Sequence, residues 1–93
     1  MNLEGTNFQI KVWIELMKIP YGEVRTYKQI AESIGHPNSS RAVANACAKN
    51  PFLLTIPCHR VIRSDGGLGG YSGPGGVETK MRLLIEEGAF TSD

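Results

Sequence analysis

Five consecutive residues, Pro57-Cys58-His59-Arg60-Val61, carry the chemistry this sequence is best equipped for. A cysteine becomes a nucleophile when a neighbouring base takes its proton or a neighbouring cation favours the thiolate, and His59 and Arg60 adjoin Cys58 as candidates. Chain neighbours do not automatically face one another, so contact between Cys58 and His59 needs a turn or a bridging water. The other thiol, Cys47, is expected in the core, and two cysteines without secretory context are expected to stay reduced. His36 reads as a turn residue. It and His59 are the only histidines, and neither has metal-ligand spacing with a cysteine, so no metal is expected. Seven glycines lie between Gly66 and Gly76, around Tyr71, Ser72 and Pro74. No Gly-Lys-Ser/Thr follows them and no dinucleotide fingerprint opens a helix after a strand, so no nucleotide cofactor is expected.

The elements that position these residues follow from capping and periodicity. Thr6 and Gln9 form a capping box opening a first helix. Lys11, Glu15 and Lys18 make a narrow polar stripe on it, while Phe8, Ile10, Val12, Trp13, Ile14, Leu16 and Met17 predict a central post of the core, ended by Pro20 and Gly22. Thr26 and Gln29 open a second helix of about two turns with Tyr27, Ile30, Ala31 and Ile34 inward and Gly35 after its end. Asn38, Ser39 and Ser40 offer N-caps for a third helix from about Arg41 to Lys49, stopped by Pro51. Val43 and Cys47 share its inner face; Arg41, Ala44, Asn45 and Ala48 make a small, nearly uncharged outer face that suits close approach to a groove. Two short helices joined by a tight turn suggest a helix-turn-helix.

The apolar run from Leu53 to Ile62 has Pro57 in its middle, which disfavours a regular helix or central strand and predicts a short buried stretch ending in a turn. The glycine-rich segment is expected to be a loop with a small β-ribbon at its base. A last helix from about Val77 to Glu87 puts Val77, Met81, Leu84 and Ile85 inward, with Gly88 as cap and Thr91 to Asp93 frayed. The fold class is therefore mainly α: a small helix-turn-helix, winged-helix-like bundle with a short β-ribbon and a Gly-rich loop.

With 93 residues, 41% hydrophobic, residues 1–93 are expected to form one domain with one modest core. No run reaches a membrane span or reads as a secretion signal, so a soluble, intracellular, monomeric protein with no membrane partner is expected. The net charge of +1 hides an asymmetry: between Tyr21 and Arg63 six bases face two acids, net +4, a basis for a nucleic-acid partner.

Ile56-Pro57-Cys58-His59-Arg60-Val61 resembles the active-site signature of the O6-alkylguanine-DNA alkyltransferase (methylated-DNA-protein-cysteine methyltransferase) family. The likeness continues in order and spacing through Tyr21-Gly22-Glu23-Val24, Thr26-Tyr27, Arg41-Ala42-Val43, Asn50-Pro51, Gly69 to Gly73 and Glu86-Glu87-Gly88. It covers about Phe8 to Gly88 and is to the C-terminal active-site domain of that family; the N-terminal domain usual there has no counterpart in this sequence. Ala44-Asn45 stands where many relatives carry a glycine pair, and Ala48 where a base can stand.

The resemblance implies a single-turnover DNA-repair methyltransferase without cofactor, acting on double-stranded DNA that contains O6-alkylguanine and is bound through the minor groove. Cys58 would accept the alkyl group irreversibly. His59 would take its proton through a water, Glu87 would orient and polarise that histidine, and Asn50 would brace the turn. The damaged base would be flipped out, with Arg41 filling its place and Ser40, Ala44 and Asn45 along the groove. Tyr27 would offer its hydroxyl to guanine N3, and the backbone at Cys58 and Val61 with the Tyr71-Ser72 loop would close on the base. Two other readings compete: a non-catalytic alkyltransferase-like lesion sensor, against which Cys58 itself argues, and a plain helix-turn-helix regulator, which needs neither the Pro-Cys-His-Arg turn nor the glycine-rich lid.

Overall fold

Reciprocal capping starts the first two helices. In the computed structural model, which describes residues 3–53 and 55–90, the Thr6 hydroxyl accepts from the Gln9 N–H at 3.1 Å while the Gln9 side-chain carbonyl accepts from the Thr6 N–H at 2.9 Å. This opens α1 (Asn7–Leu16). Thr26 and Gln29 repeat the arrangement at 3.0 and 2.8 Å and open α2 (Tyr27–Ser33). Each box satisfies two backbone donors that a helix start leaves free. Gly35, at φ +83, ends α2 in the left-handed conformation that a side chain would disfavour.

Helix α3 (Ser40–Ala48) follows a tight turn, with Ser39 as N-cap residue but without a side-chain capping bond. It packs on α2, and both pack on α1. The α1 face that meets them is Val12, Trp13 and Leu16, and the Trp13 indole N–H donates to the Ala46 carbonyl of α3 at 2.9 Å inside the core. α1 is not buried all round, as its composition predicts: Ile14 is 44% exposed and Met17 36%. With this few elements the bundle covers α1 on one side only. The helix also ends at Leu16, ahead of Pro20, and Ile19 is buried beyond it.

The chain between α3 and the glycine-rich loop is buried from Ile56 to His59, while Phe52, at the start of the apolar run, is exposed. Cys58–Arg60 form one 3-10 turn, and Val61–Ile62 form β2. The expected ribbon is present, but the glycine-rich loop does not supply its partner strand. β2 pairs in parallel with β1 (Arg25–Thr26), Arg25 opposite Val61 and Thr26 opposite Ile62, which joins the end of the cysteine turn to the start of α2.

Helix α4 (Gly76–Glu86) closes the chain, with Glu87 and Gly88 at its end. Its inner line differs from the expected one. Val77 is 45% exposed, whereas Lys80 is fully buried one turn above Leu84. The lysine stem fills an apolar place in the core and carries its ammonium inward. The frayed tail expected at Thr91 to Asp93 lies outside the described residues, as does Leu54.

The architecture is thus four helices and a short two-stranded parallel sheet. Among the described residues no helix is long and apolar enough to cross a membrane.

Candidate active site

Cys58 is buried at the start of its turn, where its N–H donates to the Ile56 carbonyl at 2.8 Å and its own carbonyl accepts from the Val61 N–H. Asn50 braces the approach. Its amide donates to the Ile56 carbonyl at 2.8 Å, and its side-chain oxygen accepts from the Phe52 N–H at 2.8 Å. Burial pushes the Cys58 thiol above its ordinary value; a hydrogen bond from Asn50 and the charge of Lys80 pull it down and offset only part of that rise. Burial therefore favours the protonated thiol, and forming the thiolate expected from the sequence calls for a base.

His59 provides one. Its Nε2 lies 2.7 Å from Glu87 Oε2. Burial alone would raise the Glu87 carboxyl, but hydrogen bonds from Arg60 and His59 outweigh it and hold the group below its usual range. An ionised carboxylate only accepts, so Nε2 donates in that bond, and in the neutral ring the lone pair is on Nδ1. His59 Nδ1 is, among the described residues, the one buried side-chain nitrogen or oxygen without a hydrogen-bond partner. A buried, unpaired lone pair on an imidazole oriented by a carboxylate is the arrangement of a general base.

Arg60 does not serve the thiol as its neighbouring position suggests. Its Nε and Nη2 donate to the two Glu87 oxygens at 2.8 and 3.0 Å, Nη1 donates to the Ile19 carbonyl at 2.9 Å, and the guanidinium lies 5.5 Å from the Tyr21 ring centroid. The 3-10 turn points successive side chains to different sides, so Arg60 ties Glu87 to the chain just beyond α1. Glu86 is exposed, 3.9 Å from Arg82, and takes no part.

A cavity of about 300 Å³ opens beside the sulfur, lined by Tyr27, Ala44, Asn45, Cys47, Ala48, Cys58, Gly70, Tyr71 and Ser72. The helix α3 outer face, the start of α2 and the glycine-rich loop thus meet at the thiol. Burial, then the two cysteines, push the Tyr27 hydroxyl up to about 12, so it stays a donor at any ordinary pH. Gly69, at φ +72, lies so close that a β-carbon there would sit 2.6 Å from the Tyr27 oxygen. Ser40 and Arg41 line a neighbouring groove of about 510 Å³ with Tyr27, Ala44, Arg63 and Gly69, outside the cysteine cavity. Val61 lines neither; its side chain is fully buried in the core.

Two residues of the site escape a reading of the sequence. Cys47 is core, as expected, and also faces the cavity, where burial pushes its thiol up to about 12. Lys80, on α4, donates to the Gly70 carbonyl at 3.1 Å and to the Tyr27 hydroxyl at 3.4 Å. Burial brings its ammonium down to about 8. Among the described residues no group of three or more His, Cys, Asp or Glu is placed to hold a metal ion.

Residues 7–89 match the family model described as 6-O-methylguanine DNA methyltransferase, DNA binding domain. The chain belongs to that family. It is 57% identical over 85 residues to the methylated-DNA-protein-cysteine methyltransferase of Methanosarcina barkeri, covering 90% of this chain and 52% of that protein. Among solved structures, Mycobacterium tuberculosis OGT in complex with DNA superposes with a TM-score of 0.88 at 49% identity, over 92% of this chain and 51% of that one. S. pombe Atl1 in complex with DNA containing O6-carboxymethylguanine gives 0.80 at 34% identity, over 92% of this chain and 80% of that one. The chain spans about half the length of the curated methyltransferases it matches. The TM-scores to these family members accord with a small, mainly helical domain.

Proposed function

We propose that residues 1–93 act as one domain that binds alkylated duplex DNA and moves the alkyl group from O6 of guanine onto the Cys58 sulfur. The observation that carries this reading is the buried, unpaired His59 Nδ1, one residue along the chain from Cys58, on an imidazole fixed by Glu87 at 2.7 Å. In the reaction His59 takes the Cys58 proton through a water, and Glu87 stabilises the imidazolium. The sulfur attacks the alkyl carbon in line, an S–C bond forms, and the C–O6 bond breaks. Its electron pair leaves on the purine, where Tyr27 donates to N3. No group in the site can hydrolyse a thioether, so each molecule acts once and needs no cofactor.

DNA contact is supported by the family model and by the two neighbours solved with DNA. In this reading α2 and α3 act as a helix-turn-helix, α3 enters the minor groove with its Ala44, Asn45 and Ala48 face, and Arg41 takes the place of the extruded base. In this reading the cavity of about 300 Å³, walled by the Tyr71-Ser72 loop and Cys58, takes a single purine. Monomeric binding and an intracellular setting belong to the same reading.

The test uses a duplex labelled in the methyl group of one O6-methylguanine. Label moves to the wild-type protein, and Cys58→Ser binds the duplex without taking label. Label on Cys58→Ser would refute the sulfur assignment; wild-type binding without transfer would favour the lesion sensor.

A further inference from the structure

Tyr21 and Gly22 belong to the stretch that carries the family likeness, yet none of the transfer steps uses them. They sit in the turn between α1 and β1. The Glu23 N–H closes that turn on the Pro20 carbonyl at 3.1 Å, with Gly22 in third place at φ +86, a conformation open to glycine. Tyr21 is 69% exposed, more than any other large hydrophobic side chain among the described residues, but one face of its ring is occupied. The Arg60 guanidinium lies 5.5 Å from the ring centroid, and the Tyr21 hydroxyl donates to the Glu86 carbonyl at 3.5 Å. Gly22 comes so near the end of α4 that a β-carbon on it would stand 3.1 Å from the Glu87 carbonyl oxygen. Ile19, just before the turn, accepts from Arg60 Nη1 at 2.9 Å. A single turn thus meets Arg60 and the end of α4 together, although Tyr21 and Glu86 are 65 positions apart in the chain.

Those contacts bear on the general base through one atom. Glu87 Oε2 is shared, lying 2.7 Å from His59 Nε2 and 3.0 Å from Arg60 Nη2. A guanidinium that tilts takes the shared oxygen with it. An aromatic face over a guanidinium attracts the cation and keeps water off that side. We propose that Tyr21 is a positioning residue: from the turn after α1 its ring seats the Arg60 guanidinium on Glu87, and that carboxylate in turn fixes the His59 imidazole through its Nε2–H bond. For the reaction it serves, the inference rests on the alkyl-transfer reading; the chain of contacts from Tyr21 to His59 is readable without DNA.

The test compares Tyr21→Leu, which keeps apolar bulk without an aromatic face, with Tyr21→Phe, which keeps the ring and loses only the 3.5 Å hydroxyl bond, in the full chain at pH 7. It reads methyl transfer from an O6-methylguanine duplex, affinity for that duplex, alkylation of Cys58 by iodoacetamide, Tm, and exchange of the His59 Nε2 proton with water by 15N NMR. Tyr21→Leu is expected to slow transfer and iodoacetamide alkylation alike by roughly threefold, the size of one exposed cation–π contact, with duplex affinity unchanged and Nε2–H exchange faster. Tyr21→Phe should stay close to wild type throughout. In Glu87→Gln, where the guanidinium has lost its carboxylate, adding Tyr21→Leu should slow neither reaction further. Wild-type rates in Tyr21→Leu, losses in Tyr21→Phe equal to those in Tyr21→Leu, or losses that multiply in the Glu87→Gln background would overturn the proposal. So would a lower Tm with unchanged Nε2–H exchange, the mark of a structural role alone, or weaker duplex binding with unchanged iodoacetamide alkylation, the mark of a DNA contact. A wild-type protein that transfers no methyl refutes the alkyl-transfer reading, while the iodoacetamide and proton-exchange measurements still decide the role of Tyr21.

Discussion

Replacing Glu87 by Gln removes the charge from a carboxylate that holds three contacts at once, His59 Nε2 at 2.7 Å and Arg60 Nε and Nη2 at 2.8 and 3.0 Å. The Glu87 side chain is 9% exposed and those of His59 and Arg60 are 9% and 15%, so the network is largely out of water. Breaking a buried ion pair costs about 3–5 kcal/mol in the limiting case. Gln keeps the shape and one acceptor oxygen, and Arg60 keeps its bond to the Ile19 carbonyl, so the expected loss is ~2 kcal/mol. For a domain of this size ~1 kcal/mol moves Tm by about 4–8 °C, which puts the drop near roughly 10 °C. The pH dependence has a definite sign. The folded-state carboxyl lies below its ordinary 4.5, so its stabilisation is fully present above that value and is lost as pH falls through the folded one. Calorimetry of both proteins across acid and neutral pH should show a Tm gap that is open at neutrality and closes in acid. Alkylation of Cys58 by iodoacetamide should slow as well, because the imidazolium loses its counter-charge. Equal Tm values at neutral pH, or a gap that widens in acid, would refute the reasoning.

Asn50→Ala removes two backbone-bracing hydrogen bonds and the one that lowers the Cys58 thiol. It should cost ~2 kcal/mol in denaturant unfolding and move the pH profile of Cys58 alkylation upward. Gly69→Ala places a β-carbon 2.6 Å from the Tyr27 oxygen at φ +72. Alkyl transfer should fall by more than ~10-fold for a stability loss of only ~1–3 kcal/mol, measured by rate and melting together. Cys47 should show in alkaline unfolding. Its folded thiol lies near about 12 against an ordinary 9.0, so its contribution is whole below pH 9 and is lost as pH rises toward the folded value. Cys47→Ala should remove roughly 1 kcal/mol per pH unit from the steepness of that loss.

Local chemistry was readable in the residues. Both capping boxes, Gly35 and Gly88 at helix ends, and the turn at Pro57 depend on neighbours within a few positions, and each appears where its pattern predicts. What depends on contacts distant in the chain was not. The Arg60 partner is Glu87, 27 positions away, and no spacing distinguishes Glu87 from Glu86. The apolar periodicity assigns Val77 inward and passes over Lys80, whereas in the fold Val77 is 45% exposed and Lys80 is buried with a bond to the Gly70 carbonyl. The protonation of Cys58 follows the same logic, since its desolvation exists only once α3 and the glycine-rich loop are packed around it.

The most direct test of the central claim is intact-protein mass spectrometry with peptide mapping after incubation with excess duplex carrying a single O6-methylguanine. The account predicts a gain of one methylene per molecule, located on the peptide containing Cys58, with the guanine restored in equal amount. A protein that binds this duplex and keeps its original mass, or that gains the methylene on Cys47 instead, would contradict it.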